Sequence, residues 1–361
     1  MKFALLTKRH YTNKDLINDR FGRLFHLPIQ LHDLGHEGIV ISGDLHSGKK
    51  ERQQINGVTF HSSPFSIFAY HSFIKYSRRI LAEFKPDVLL ASGDSYWGYL
   101  GLRLARKLNI PFVFDVYDDY TAFRTNKIPG MKTIFYKAAG KADLVVTSSE
   151  PLRQKLNSFN KNILITENGF DPDLFRPIPK EKIRAQLNIP LGDTVIGYFG
   201  SITGDLGIEV LLKSIEILQK QIPGFRLLLA GLNGMNLDLK VPGVDFRGFL
   251  PQQEIPALIN ACDVVIIPYL PSKQVQQSNA CKIAEYIACQ VPIVATNVSN
   301  HAKIFVDAPQ SLCEPGNPES MARAIQAQFD SPQLVENSGS LTWRNLAEKL
   351  GLSLEILVKT S

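Results

Sequence analysis

Cysteine is scarce: the 361 residues hold four, Cys262, Cys281, Cys289 and Cys313, all in the second half and without C-x-x-C spacing. That excludes a disulfide framework and a zinc knuckle, and it points to a reducing cytoplasm. Long apolar runs are missing too. None approaches the ~18 residues a spanning helix needs, and the first apolar stretch meets Lys8 and Arg9 too early for a signal peptide. Charged residues make up only 20%, against 44% hydrophobic, which excludes a disordered chain. No run of Lys and Arg is interleaved with stacking aromatics, so nucleic acid is not an expected partner. The length implies two or three domains, which rules out a peptide hormone or a lone binding module.

The charge that is present is spread unevenly. Residues 1–170 carry 24 Lys+Arg against 15 Asp+Glu, and residues 171–361 carry 16 against 19, within a formal net charge of +6. The two halves therefore face different partners, and the basic first half suits an anionic membrane surface or an acidic substrate.

Short β-branched runs alternate with helical patterns, which predicts parallel sheets covered on both faces by helices. Strands are expected at 3–7, 38–42, 58–61, 87–91, 112–116, 144–147 and 163–166, and in the second half at 195–199, 226–230, 244–246, 264–268 and 293–296. The Pro-, Asp- and Asn-rich stretch Asn168 to Pro190 separates the two series. The expected organisation is a domain over 1–170, a second over 171–340 and a C-terminal helix over 341–361 that could pack on either. Two doubly wound domains in tandem would face a central cleft, with ligands at the carboxyl ends of the strands.

The most informative segment is Ser278-Asn-Ala-Cys-Lys-Ile-Ala-Glu-Tyr-Ile-Ala-Cys-Gln-Val-Pro-Ile-Val-Ala-Thr296. Ser278 or Asn279 would cap a helix running to about Gln290, whose free amides and positive dipole end favour an anion. Lys282 and Glu285, three apart, share a face, one suited to phosphate and the other to ribose hydroxyls. From spacing alone the pair reads better as an exposed Lys–Glu helix pair.

This stretch resembles the nucleotide motif of retaining GT-B glycosyltransferases, in particular glycosyltransferase family 4. In that family a Glu, seven residues and a second Glu precede small residues, Pro and a strand. The second Glu falls on Glu285 and the first on Gln277. The segments 86–91, 108–113, 168–177, 196–200 and 247–251 followed by 261–265 are similar to the family's landmarks in the same order.

The resemblance implies an α/β GT-B fold and transfer of a sugar from a nucleotide diphosphate donor with retained anomeric configuration. It implies no metal and no cofactor beyond a UDP-, GDP- or ADP-sugar donor. The acceptor would be a glycan, a lipid-linked molecule or a small molecule. Position by position, Glu285 would bind ribose. Asn279, Ala280, Cys281 and Lys282 would meet the diphosphate or sugar, Gly200 and Ser201 would flank the phosphates, and Phe249 and Leu250 would lie near the base. Lys282, Gln277 and Asp118 would act at the reacting centre, with Arg20 and Tyr117 on the acceptor side.

Three positions depart from the family's pattern. Ser201 and Leu206 stand where an Arg and a Lys are usual, Tyr117 stands for a His, and the loop Lys8 to Arg23 has no obvious glycine pair. These departures motivate a rival, a nucleotide-sugar-binding subunit without catalysis. A nucleotide-sugar epimerase is a further alternative. Asp119 is expected to be solvent-exposed, and no metal is expected at His32 and His36, because Gly35 should end their helix. The basic amphipathic stretch 65–84, with Lys75, Arg78 and Arg79, fits either a helix on the inner face of an anionic membrane or an ordinary helix packed on the first sheet.

Overall fold

The computed structural model describes the chain except Thr12, Asn13, Ser47, Ile67, Gln274, Ser278, Asn279, Ala280, Asn337, Ser338 and Ser361, and the side chains of Arg124 and Thr125. It forms two compact units, Met1–Gly169 with Leu341–Ser361, and Phe170–Ser340.

In the first unit the strands are β1 (Lys2–Lys8), β2 (His10–Tyr11), β3 (Lys14–Asp15), β4 (Glu37–Asp44), β5 (Glu51–Ile55), β6 (Val58–Pro64), β7 (Val88–Ser92), β8 (Phe112–Val116), β9 (Leu144–Thr147) and β10 (Ile163–Ile165). Eight of them make one sheet in the order β10-β9-β8-β7-β1-β4-β6-β5, parallel throughout except for the β5–β6 edge pair. Residues such as Phe112 to Val116 are buried on both faces, the condition under which a strand reads as one continuous apolar run. β5 was not among the expected strands. At the sheet edge Glu51-Arg-Gln-Gln-Ile buries only Ile55 fully, so its sequence carries almost no apolar signal.

Helices α1 (Arg23–Asp33), α2 (Tyr70–Phe84), α3 (Ser95–Leu108), α4 (Met131–Lys141) and α5 (Glu150–Leu156) link these strands. α3 starts where the Asp94 side chain accepts from the Tyr96 N–H, and α5 where Ser149 accepts from Leu152 N–H. α2 is shorter than the expected stretch 65–84. Phe65 precedes it and packs on Trp97, ring centroids 4.9 Å apart, whereas Phe68 is 98% exposed.

The second unit holds β11 (Thr194–Phe199), β12 (Phe225–Ala230), β13 (Val244–Phe246), β14 (Val264–Ile267), β15 (Ile293–Thr296) and β16 (Leu312–Cys313) in one parallel sheet ordered β13-β12-β11-β14-β15-β16. Counted within the unit this is 3-2-1-4-5-6, the doubly wound dinucleotide order. Its helices are α6 (Lys180–Leu187), α7 (Ile208–Gln219), α8 (Ile255–Ala261), α9 (Cys281–Ala288), α10 (His301–Ile304) and α11 (Pro318–Asp330). Ile196, Leu227, Leu229, Val264, Ile266 and Ile325 form the centre of the core. The expected caps of α9, Ser278 and Asn279, lie outside the described residues.

The last helix, α12 (Trp343–Lys359), starts where Thr342 Oγ1 accepts from Asn345 N–H and belongs to the first unit. Trp343, Leu346, Leu350 and Leu354 recur at helical spacing and are buried in one cluster with Leu24, Leu27 and Leu31 of α1. The Trp343 ring stacks on His26 at 5.4 Å.

Candidate functional site

In the second unit the strand order reverses between β11 and β14, and a doubly wound sheet binds its ligand at the carboxyl ends beside that point. β11 ends at Phe199 and gives way to Gly200. The turn is fixed by two phenols: Tyr198 Oη donates to the Ser201 carbonyl at 2.7 Å, and Phe199 N–H donates to Tyr286 Oη at 3.1 Å.

Lys282, the second residue of α9, lays its ammonium over two of these rings. Nζ lies 4.2 Å from the centroid of Tyr198 and 5.3 Å from that of Tyr269, which follows β14. A Cβ on Gly200 would come within 2.4 Å of Lys282 Nζ, so the missing side chain is what admits the ammonium to the end of β11. Behind it, a Cβ on Gly231 would meet the Gly200 carbonyl at 1.9 Å. Two glycines thus let three backbone and side-chain groups converge.

One turn further along α9, Glu285 Oε1 accepts from Gln252 Nε2 at 3.3 Å. Burial raises the Glu285 carboxyl to about 7, with Gln252 and the Lys282 ammonium acting against it. Burial likewise lowers Lys282 to about 8, opposed by the Glu285 charge. Both side chains are half-buried, not the exposed pair that spacing alone allows. The arrangement offers a cation to an anionic group and a carboxylate to hydroxyls, on one helical turn.

The other expected donor residues have these places. Ser201 is exposed, and Leu206 is half-buried in the turn Gly204–Leu206. Phe249 is exposed and Leu250 half-buried in the loop after β13. Gln277 is half-buried in the turn Val275–Gln277, and Cys281 opens α9. Asn279 and Ala280 lie outside the described residues. Tyr198, Tyr269 and Gln252 went unread in the sequence, since each reaches α9 from a different strand or loop.

In the first unit, β8 runs into Asp115-Val-Tyr-Asp-Asp119. Asp115 is buried; its Oδ1 accepts from Arg23 Nη2 at 2.8 Å and its Oδ2 from Ser92 Oγ at 2.6 Å. Arg23 also donates to the Thr166 carbonyl at 2.9 Å, and its guanidinium lies 5.7 Å from the Tyr117 ring centroid. Arg20, expected on the acceptor side, is exposed at φ 51 in the loop before α1. Arg23, on the first turn of α1, is the arginine that reaches the strand end.

Tyr117 and Asp118 are half-buried, and burial raises the Tyr117 hydroxyl above its ordinary value. Asp119 was expected in solvent but is buried. It caps the turn Tyr120–Ala122 and accepts from Lys155 Nζ and Thr121 Oγ1, both at 2.6 Å, so its charge is matched internally. Lys8, at the end of β1, went unread: burial lowers its ammonium, while Asp94 and Asp118 pull it back up. Among the described residues of α1, His32 Nδ1 lies 3.1 Å from the His36 carbonyl, an ordinary helix-end contact.

Comparison with known proteins agrees with this architecture. Residues 24–174 match the family described as Glycosyltransferase Family 4, and residues 193–330 match Glycosyl transferases group 1. The chain is 25% identical over 230 residues to 2-deoxystreptamine glucosyltransferase of Streptomyces kanamyceticus, covering 60% of this chain and 58% of that protein. It is 24% identical over 284 residues to the GDP-mannose-dependent alpha-mannosyltransferase of Mycolicibacterium smegmatis (strain ATCC 700084 / mc(2)155), covering 73% and 72%. Two Bacillus subtilis (strain 168) relatives are matched over 60% and 43% of their lengths, so the chain spans about half the length of several curated relatives.

Among solved structures, sucrose-phosphate synthase from Thermosynechococcus elongatus superposes with a TM-score of 0.78 at 16% identity, covering all of both chains. The Anabaena protein HepE in complex with UDP and glucose gives 0.67 at 18% identity, covering 100% of this chain and 98% of that one. The fold is GT-B, with two Rossmann-like sheets.

Proposed function

From the two glycosyltransferase domains the chain carries, we propose that it moves a sugar from a nucleotide diphosphate-sugar to an acceptor, with Phe170–Ser340 holding the donor. The observation that carries this reading is the ammonium of Lys282 lodged against Gly200 with Glu285 one turn away, at the point where the strand order reverses. On this reading Lys282 and the amides at the start of α9 meet the diphosphate, Glu285 accepts from the ribose hydroxyls, and Gln277 touches the donor sugar.

The reaction proposed is retaining. The bond from the anomeric carbon to the diphosphate breaks, the acceptor oxygen bonds that carbon on the same face, and the acceptor proton passes to a phosphate oxygen of the leaving group. The protein's part is to position the reactants and stabilise the departing charge, with no metal required. Tyr117, Asp118 and the Arg23–Asp115 pair form the acceptor side. The acceptor's surroundings are proposed to include an anionic membrane face, met by the exposed Lys75, Arg78 and Arg79 of α2.

A second reading, a donor-binding subunit without catalysis, is favoured by one feature: exposed Ser201 and half-buried Leu206 stand where the family pattern has cations. The experiment is a thermal-stability screen of UDP-, GDP- and ADP-sugars, followed by a transfer and hydrolysis assay with the stabilising donor. Stabilisation with transfer supports the proposal. Stabilisation with neither transfer nor hydrolysis favours the second reading, and conversion of the donor sugar without transfer identifies an epimerase.

A further inference from the structure

At the carboxyl ends of β1 and β4, His10, Asp44 and His46 each direct a ligand atom to a common point, all within 4.8 Å of one another. His10 Nδ1 lies 3.6 Å from Asp44 Oδ1. Four ligand atoms held tetrahedrally around an ion at about 2.1 Å would lie about 3.4 Å apart, so this spacing is that of two ligands of one ion.

The surroundings of His10 sharpen the argument. Its Nε2 lies 3.3 Å from Asp15 Oδ2, so a carboxylate stands on the side of the ring away from Asp44. Its Nδ1 is buried without a hydrogen-bond partner and faces a carboxylate oxygen. A cation between them would give that nitrogen a partner. A carboxylate behind the imidazole on the side away from the ion is the usual support of a metal-bound histidine.

Charge points the same way. Arg9 is ringed by three carboxylates, Asp15 at 2.9 Å, Asp44 at 3.3 Å and Glu51 at 2.6 Å. One guanidinium among three carboxylates leaves two negative charges, the complement of a dication. Arg9 engages Asp44 through Oδ2, while Oδ1 accepts from His46 N–H at 2.8 Å and faces His10 Nδ1. Two imidazoles with one carboxylate suit Zn²⁺ and its first-row neighbours better than Mg²⁺ or Ca²⁺, which select oxygen. His46 is exposed, so the ion would keep a position open to solvent.

We propose that His10, Asp44 and His46 bind one divalent first-row transition ion, with Asp15 as the positioning residue for His10. The proposal departs from the expectation of no metal, and it does not depend on the glycosyltransferase reading.

The test is calorimetric titration of the untagged, EDTA-treated full chain with ZnCl₂, with Co²⁺ as a spectroscopic substitute. One equivalent should bind with roughly micromolar or tighter affinity, and Co²⁺ should give the visible absorption of a low-coordinate site. His46→Ala should weaken binding by at least about 10-fold and Asp15→Asn by about 10- to 100-fold. His71→Ala, on the exposed face of α2, should leave it unchanged. Because His46 is exposed, its variant keeps the fold intact and isolates the ligand. No saturable uptake, or equal uptake in His46→Ala and the unmodified chain, would overturn the proposal.

Discussion

Glu285 and Lys282 share one turn of α9 with their proton affinities drawn together, the carboxyl up to about 7 and the ammonium down to about 8. The signs follow from burial, which disfavours the charged form of each. As pH falls through about 7 Glu285 takes up a proton and loses the negative charge that strengthens its bonds from hydroxyls. As pH rises through about 8 Lys282 loses the charge proposed to meet the diphosphate. The kcat/KM profile for transfer should therefore be a narrow bell between those limbs. A profile flat from pH 6 to 9 would detach both residues from the reaction.

Their substitutions should separate by kind of effect. Glu285→Ala should weaken nucleoside monophosphate binding by about 1.5–3 kcal/mol, the scale of a hydrogen bond to a charged group. Lys282→Ala should lower kcat by about 10²-fold with a smaller effect on monophosphate binding, since the ammonium would act on charge that develops as the bond breaks. The comparison of kcat with monophosphate affinity checks both. Glu285 and Lys282 stood out in the sequence because a helix repeat places them on one face. Tyr198, Tyr269 and Gln252 did not, since nothing along the chain says that β11, β14 and the loop before α8 converge on them. His10 was hidden for the same reason, since it lies on β2 while Asp44 and His46 stand at and just after the end of β4.

Elements were legible in proportion to their burial. β8 and β9 are buried at every position, so Phe112 to Val116 and Leu144 to Thr147 announce themselves as apolar runs. β5 lies on an edge and the β2–β3 pair is too short for any period to register. α2 divides the two ways its sequence could be read: Phe73, Ile80 and Leu81 are buried in the core while Lys75, Arg78 and Arg79 stay exposed. No helix among the described residues is long and apolar enough to cross a membrane. If the basic face meets anionic lipid, co-sedimentation with phosphatidylserine vesicles should fall as salt rises, through screening. Absence of binding at low salt would leave α2 as packing alone. In α12 the apolar stripe is fully used, so Leu350→Ala should lower unfolding free energy by about 2–5 kcal/mol, measured by denaturant melting. A loss under 1 kcal/mol would mean that the contact with α1 is looser than its burial indicates.

For the molecule as a whole, the doubly wound pattern was readable because each unit alternates strand and helix in the same rhythm. The catalytic question turns on which cation meets the leaving group. Since the one proposed is a lysine, transfer should persist after EDTA treatment even though the chelator would strip the histidine site at the end of β1 and β4. Complete loss of transfer, restored by Mg²⁺ or Mn²⁺, would move the catalytic charge from Lys282 to a metal.

The chain leaves its first unit at Gly169 and returns to it only at Leu341. During synthesis, therefore, Phe170–Ser340 emerges as one uninterrupted stretch and can collapse while the first unit still lacks α12. Until then the apolar flank of α1, with Leu24, Leu27 and Leu31, has no cover. A chain cut short at residue 340 would display a finished second unit tethered to an unfinished first one, open to chaperone capture at that flank.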